Sequence, residues 1–110
     1  MKKIAIFGCS GFALEVADIC SALGYKEIIL LSDNGVHKQT NGLEVRSEKD
    51  VILLHEEGYF FAIGIGDGSI RRKIVDKFPE LTFPNLIHPS AVFGINQVAA
   101  FDKYEGNIIT

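Results

Sequence analysis

What this sequence lacks excludes several kinds of protein. No apolar run approaches the roughly 18–20 residues that cross a bilayer as a helix, so no membrane segment is expected. The opening Met-Lys-Lys is followed by only four apolar residues before a glycine turn, too few for a secretory signal. Lys and Arg are scattered rather than striped, and with a net charge of −3 they argue against a nucleic-acid partner. The one short basic run, Arg71-Arg72-Lys73, fits a solvated helix face. Cysteine is nearly absent: Cys9 and Cys20 have no histidines at ligand spacing, so neither a zinc site nor a disulfide scaffold is expected. The expected compartment is the reducing cytoplasm. Low-complexity stretches and internal repeats are missing as well.

What is present is an ordinary globular balance, 47% hydrophobic and 23% charged over 110 residues, enough for one core. Residues 2–7 read as a buried strand, its apolar run over residues 4–7 stopping sharply at Gly8. Over residues 12–23 the period becomes helical. Ala13, Val16, Ala17, Cys20 and Leu23 share a face, Glu15, Asp18 and Ser21 lie opposite, and Gly24 supplies the stop. A second strand over residues 27–31 completes a βαβ unit, whose strands must run parallel. Polar residues 36–41 predict a loop and residues 42–46 a short edge strand, while residues 49–57 fit a helix or a strand. A third firm strand covers residues 59–65. Residues 69–78 then predict a helix with Ser69 as N-cap and Ile70, Ile74 and Phe78 inward, ended by Pro79. Residues 85–88 make a last short strand. The remainder has apolar pieces without helical period, and its strand-like end, Asn107-Ile108-Ile109-Thr110, reads as a cut inside a larger protein. The fold class is α/β, a Rossmann-like parallel sheet with flanking helices.

The turn after the first strand carries the chemistry. Gly8-Cys9-Ser10-Gly11-Phe12-Ala13 parallels the dinucleotide fingerprint G-x-G-x-x-G/A, with Gly8 at the tight turn, Ser10 in place of the second glycine and Ala13 at the close-packing position. Amides opening the helix are unpaired donors at the positive end of its dipole, where a phosphate binds. Asp33, 20 residues beyond Ala13 at the end of the second strand, stands where a carboxylate accepts from ribose hydroxyls. A second turn, Gly64-Ile65-Gly66-Asp67-Gly68, ends the third firm strand. There Gly64 and Gly66 offer backbone approach and Asp67 and Arg71 offer ligand contacts; equally, Asp67 is a helix cap and Arg71 is solvated. Cys9 lacks an adjacent base and His88 a carboxylate partner, so no catalytic residue is assigned. His37 and His55 carry no signal.

These residues, in this order, resemble one family. Lys3-Ile-Ala-Ile-Phe-Gly8-Cys-Ser-Gly11-Phe-Ala13, Ala22-Leu-Gly24-Tyr25, Ser32-Asp33, Tyr59-Phe-Phe-Ala-Ile-Gly64, Gly66-Asp67 with Ile70-Arg71-Arg72-Lys73-Ile74, and Phe83-Pro-Asn-Leu-Ile-His88-Pro-Ser-Ala91 are similar to the bacterial sialic acid O-acetyltransferase and bacillosamine N-acetyltransferase-like sugar acyltransferases (NeuD/PglD-like). The resemblance implies that residues 1–91 are a Rossmann-like nucleotide-sugar-binding domain. Residues 92–110 would be a junction or truncated first coil of a left-handed β-helix. It implies a UDP-sugar-type acceptor held by Gly8, Ser10, Gly11, Asp33, Gly66 and Asp67, to which the reading of the second loop adds Arg71, with Asn34 departing from the family's second acidic residue and His88 matching its junction histidine. Acetyl-CoA, the homotrimer and the catalytic histidine would belong to the β-helix of the full-length parent, and no cofactor to these residues. Two other readings fit the glycine loop: an NAD-binding domain of an oxidoreductase or redox sensor, and a non-catalytic interaction module. Ser10 in the loop, the lack of a catalytic Lys or Tyr signature and the His88-Pro89 junction weigh against NAD.

Overall fold

A computed structural model describes residues 2–32, 39–40, 42–84, 86–87 and 108–109. The elements are β1 (Lys3–Phe7), α1 (Gly11–Ala22), β2 (Glu27–Ser32), β3 (Gln39–Thr40), β4 (Leu43–Ser47), a 3-10 turn (Glu48–Asp50), α2 (Val51–Glu56), β5 (Phe60–Ile63), α3 (Gly68–Lys77), β6 (Leu86–Ile87) and β7 (Ile108–Ile109). Five strands form one sheet in the order β3-β4-β2-β1-β5, parallel except for β3, which runs antiparallel to β4. Two expectations change here. Part of the polar stretch 36–41 is strand, because the positive φ of Gly42 (80°) folds Gln39–Thr40 back onto β4. Residues 43–47 are therefore flanked on both sides, by β2 and by β3. The ambiguous segment 49–57 resolves as the 3-10 turn and α2.

The central strands are apolar on both faces because both are covered. On one face Ile4, Ile6, Leu30, Val45 and Ala62 pack with Ala13, Val16, Ala17, Ile19 and Cys20 of α1. On the other, Ala5, Phe7, Ile29, Leu31, Phe61 and Ile63 pack with Val51 and Leu54 of α2 and Ile74 and Phe78 of α3. Phe7 anchors this second layer, its ring 6.1 Å from Phe61 and 5.8 Å from Phe78. Each such fully buried side chain contributes about 1.5–3 kcal/mol relative to exposure. The α1 periodicity holds with one change, since Leu23 packs at the margin while Ile19 is buried. Burial pushes the Cys20 thiol up to about 12, which leaves it inert.

Both helices α1 and α2 stop the same way. Gly24 and Gly58 adopt φ of 92° and 90°, and the tyrosine after each donates back into the last turn, Tyr25 N to Cys20 O at 3.0 Å and Tyr59 N to Leu54 O at 3.1 Å. This is the Schellman arrangement. It delivers two buried tyrosines to the lower end of the sheet, where the Tyr59 hydroxyl donates to Glu27 Oε2 at 2.7 Å.

This topology fixes where a ligand fits. From β1 the chain moves through α1 to β2, and β4 lies beyond; α2 then carries it back across the opposite face to β5, on the far side of β1. Right-handed crossovers in opposite directions require opposite faces. The two directions diverge between β1 and β5, which makes their carboxyl ends the switch point of the sheet, where open α/β folds place a ligand crevice. A separate parallel pair, β6 with β7, lies outside this sheet, with β6 close to α1. No helix among the described residues is long and apolar enough to cross a membrane.

Candidate functional site

Two loops flank the crevice, one after β1 and one after β5, and each runs into the N-terminus of a helix. The first begins at Gly8, whose φ of 113° no side chain adopts comfortably. Its amide donates to Leu31 O at 2.8 Å, and a methyl group built on it would sit 2.9 Å from Gly64 O. Cys9 follows, half-buried against the α1 layer. Ser10 is the N-cap of α1, extended at φ −91° and ψ −171°, and its side chain makes no capping bond. Among the described residues only its carbonyl is used, accepting from Leu14 N at 3.1 Å. Among the described residues, the amides of Gly11, Phe12 and Ala13 therefore have no acceptor, with the exposed Ser10 hydroxyl beside them. Nothing lies within 4 Å of a methyl group built on Gly11. That combination of unpaired donors, dipole and free space accepts an anion.

The second loop is built the opposite way. Asp67, not Ser69, is the N-cap of α3: its Oδ1 accepts from Ser69 N at 2.8 Å, Ile70 N at 3.2 Å and Ser69 Oγ at 2.7 Å. The Ser69 hydroxyl, together with the Ile70 and Ser69 amides, holds the Asp67 carboxyl below its ordinary value of 3.8. A carboxylate thus already occupies the place an anion would take at α3, while α1 stays open. The crevice has a donor side and an acceptor side.

Asp67→Ala should lower the unfolding midpoint by uncapping α3. The sign with pH follows from the depressed value: the cap's contribution is full above the ordinary carboxylate value and is lost as pH falls through the lower folded one. Denaturation measured below pH 3.8 should accordingly show a smaller difference between Asp67→Ala and the parent than at neutral pH.

The remaining sequence-assigned residues are placed as follows. Gly66 is exposed with open space around it. Arg71 sits half-buried one turn into α3 and makes no ion pair among the described residues. Asp33, Asn34, His37 and His88 lie outside the described residues; β2 ends at Ser32, whose neighbours Leu31 and Phe7 are in register. Ile70, expected inward, is 42% exposed, because residues 66–70 all stand in solvent and α3 meets the sheet only from Ile74 onward. Among the described residues no group of three His, Cys, Asp or Glu could hold a metal. One role was missed in the sequence. Gly64, read as a place for ligand approach, is instead packed against Ala13, a small-on-small contact whose only sequence signal is a glycine directly after the strand.

Sheet order and paired layers define a Rossmann-like α/β domain with an open helix N-terminus after its first strand. Residues 3–78 match the family described as the PglD N-terminal domain, and the chain belongs to that family. Similar solved structures include the acetyltransferase domain of PglB from Neisseria gonorrhoeae FA1090 in complex with acetyl coenzyme A. It is 32% identical, with a TM-score of 0.68 over 80% of this chain and 44% of that one. A mutant of perosamine N-acetyltransferase from Caulobacter crescentus in complex with CoA and GDP-perosamine is 26% identical, with a TM-score of 0.72 over 86% of this chain and 47% of that one. PerB from Caulobacter crescentus, in complex with CoA and GDP-perosamine, is 26% identical with a TM-score of 0.69, covering 86% and 46%. The chain thus spans less than half the length of each of these structures.

Proposed function

We propose that this domain binds the sugar-nucleotide acceptor of an acetyl-CoA-dependent sugar N- or O-acetyltransferase. The observation that carries the reading is the open cradle at α1: three unpaired amides and a free Ser10 hydroxyl at the switch point of the sheet, facing no group of the protein among the described residues. Gly8, Ser10 and Gly11 take the diphosphate. Asp33 accepts from the pentose, and Gly66, Asp67 and Arg71 line the sugar side, Asp67 through Oδ2, which its cap leaves unused. Family membership supports the ligand class, as do the acetyltransferase relatives, two of them complexes with GDP-perosamine.

Acyl transfer needs a base within hydrogen-bond reach of the attacking amine or hydroxyl, and no residue assigned to the crevice serves as one. We therefore place the base, the acetyl-CoA site and the trimer contacts in a left-handed β-helix domain of the whole enzyme, of which residues 92–110 are the junction or first coil. The parallel return of β7 onto β6 is compatible with such a coil.

Calorimetry with UDP-N-acetylglucosamine, GDP-mannose, CMP-sialic acid and NADH tests the ligand class. Binding of at least one sugar nucleotide with none of NADH is expected; binding of NADH alone would replace the proposal with the oxidoreductase reading.

A further inference from the structure

The two crevice loops meet backbone to backbone, and the residue at the contact is Gly64. A methyl group built there would lie 2.6 Å from the Ala13 Cα, 2.8 Å from its Cβ and 3.0 Å from Ile6 Cγ2. Its own carbonyl is the atom that a side chain on Gly8 would strike, at 2.9 Å. Its amide donates to Phe7 O at 2.8 Å, sewing the start of one loop to the strand before the other. Gly64 does not have the positive φ of Gly8, so space and not backbone conformation demands glycine here. The other glycines of the same loop, Gly66 and Gly68, have nothing within 4 Å of a built methyl group.

Ala13 is both the residue touched and the carrier of one of the three unpaired amides. Its side chain is fully buried and lies against Ile6 and Val16 in the α1 layer. Interiors packed to this density leave no slack for an added methyl, so any side chain at position 64 must drive the first turn of α1 outward or the β5 loop aside. Displacement of α1 misaligns the amides of Gly11, Phe12 and Ala13, whose hydrogen bonds weaken steeply with angle and distance.

We infer that Gly64 is a positioning residue: it touches no ligand, and by letting α1 seat directly on the end of β5 it sets the amide cradle at the spacing a diphosphate requires. The inference rests on the sugar-nucleotide reading for its ligand, though not for its geometry.

The test compares Gly64→Ala with Gly68→Ala and with the double variant Ala13→Gly/Gly64→Ala. The double variant moves a methyl across the contact at constant volume and so keeps the fold if the single variant does not. Each is titrated by NMR with UDP, GDP, uridine and guanosine. Position 64 variants should lose about ten-fold in affinity for the diphosphates while nucleoside affinity is retained, and Gly68→Ala should match the parent. Undiminished diphosphate binding in the double variant would overturn the inference, as would an equal loss for nucleosides, which marks general damage. Parent protein that binds none of the four ends the sugar-nucleotide reading. The crystal structure of the double variant then decides for Gly64 by itself: a displaced α1 upholds the spacer, an undisplaced one refutes it.

Discussion

Gly11→Glu should cut sugar-nucleotide affinity by about 100-fold or more, since setting like charges side by side in an interface costs several kcal/mol, while leaving the fold intact. Gly11 is the first residue of α1, its φ lies outside the left-handed region, and a Cβ there meets nothing within 4 Å. A side chain is therefore sterically free. A carboxylate at this position also interacts favourably with the helix dipole and removes a glycine from the first turn, so stability should rise by about 0.5 kcal/mol. The same charge that steadies the helix occupies the place proposed for the diphosphate. Gly11→Gln separates the effects: it adds equal bulk without charge and should lose much less affinity than Gly11→Glu. Calorimetry for binding and urea denaturation for stability check the two halves. A variant that binds as well as the parent would show that the anion site lies elsewhere.

The largest loss of stability is expected at Gly8. Gly8→Ala asks an L-residue to hold φ of 113° and pushes a methyl to 2.9 Å from the Gly64 carbonyl and 3.2 Å from Ile65 Cγ1. Strained backbone of this kind costs about 1–3 kcal/mol, and forced overpacking about as much again, so a fall of about 3 kcal/mol in unfolding free energy is expected by denaturant titration. That is a large share of the stability of a single domain. Gly24→Ala, at a similar φ of 92° but with open space around it, isolates the conformational part and should cost about 1 kcal/mol. If the two variants proved equally stable, the contact between the crevice loops would be discredited.

Much of the fold was legible because burial on both faces leaves a simple trace. Ile4 to Phe7 and Ile29 to Leu31 are unbroken apolar runs since helices cover both sides of their strands. The face of α1 follows the 3.6-residue period from Ala13 to Cys20, and Gly24 marks its stop; the matching stop at Gly58 has no such reading, because residues 49–57 fit helix and strand alike. Two features escape for physical reasons, and a third stays open between two readings. The cap of α3 reads as either Ser69 or Asp67, because Asp67-Gly68-Ser69 offers two capping side chains two residues apart, and the geometry chooses the carboxylate. Ile70 follows the helical period of Ile74 and Phe78, but period says nothing about where along its length a helix first meets the sheet. Gly64 packs on Ala13 across some fifty residues of sequence, and a contact of that range has no local signature. Of the proposed site, the α1 loop is the part that the sequence singles out through its glycine pattern. What it could not distinguish was the open helix terminus from the closed one, since both follow glycine-rich turns and differ only in where one carboxylate points.

That distinction is also what a single titration can read. An amide-resolved NMR titration with UDP-N-acetylglucosamine and GDP-mannose should move the signals of Gly11, Phe12 and Ala13 most, as donors without partners acquire them, and leave Ser69 and Ile70, already bonded to Asp67, near their starting positions. Shifts centred on Ser69 and Ile70, with the three α1 amides unmoved at saturation, would contradict the assignment of the phosphate cradle to α1.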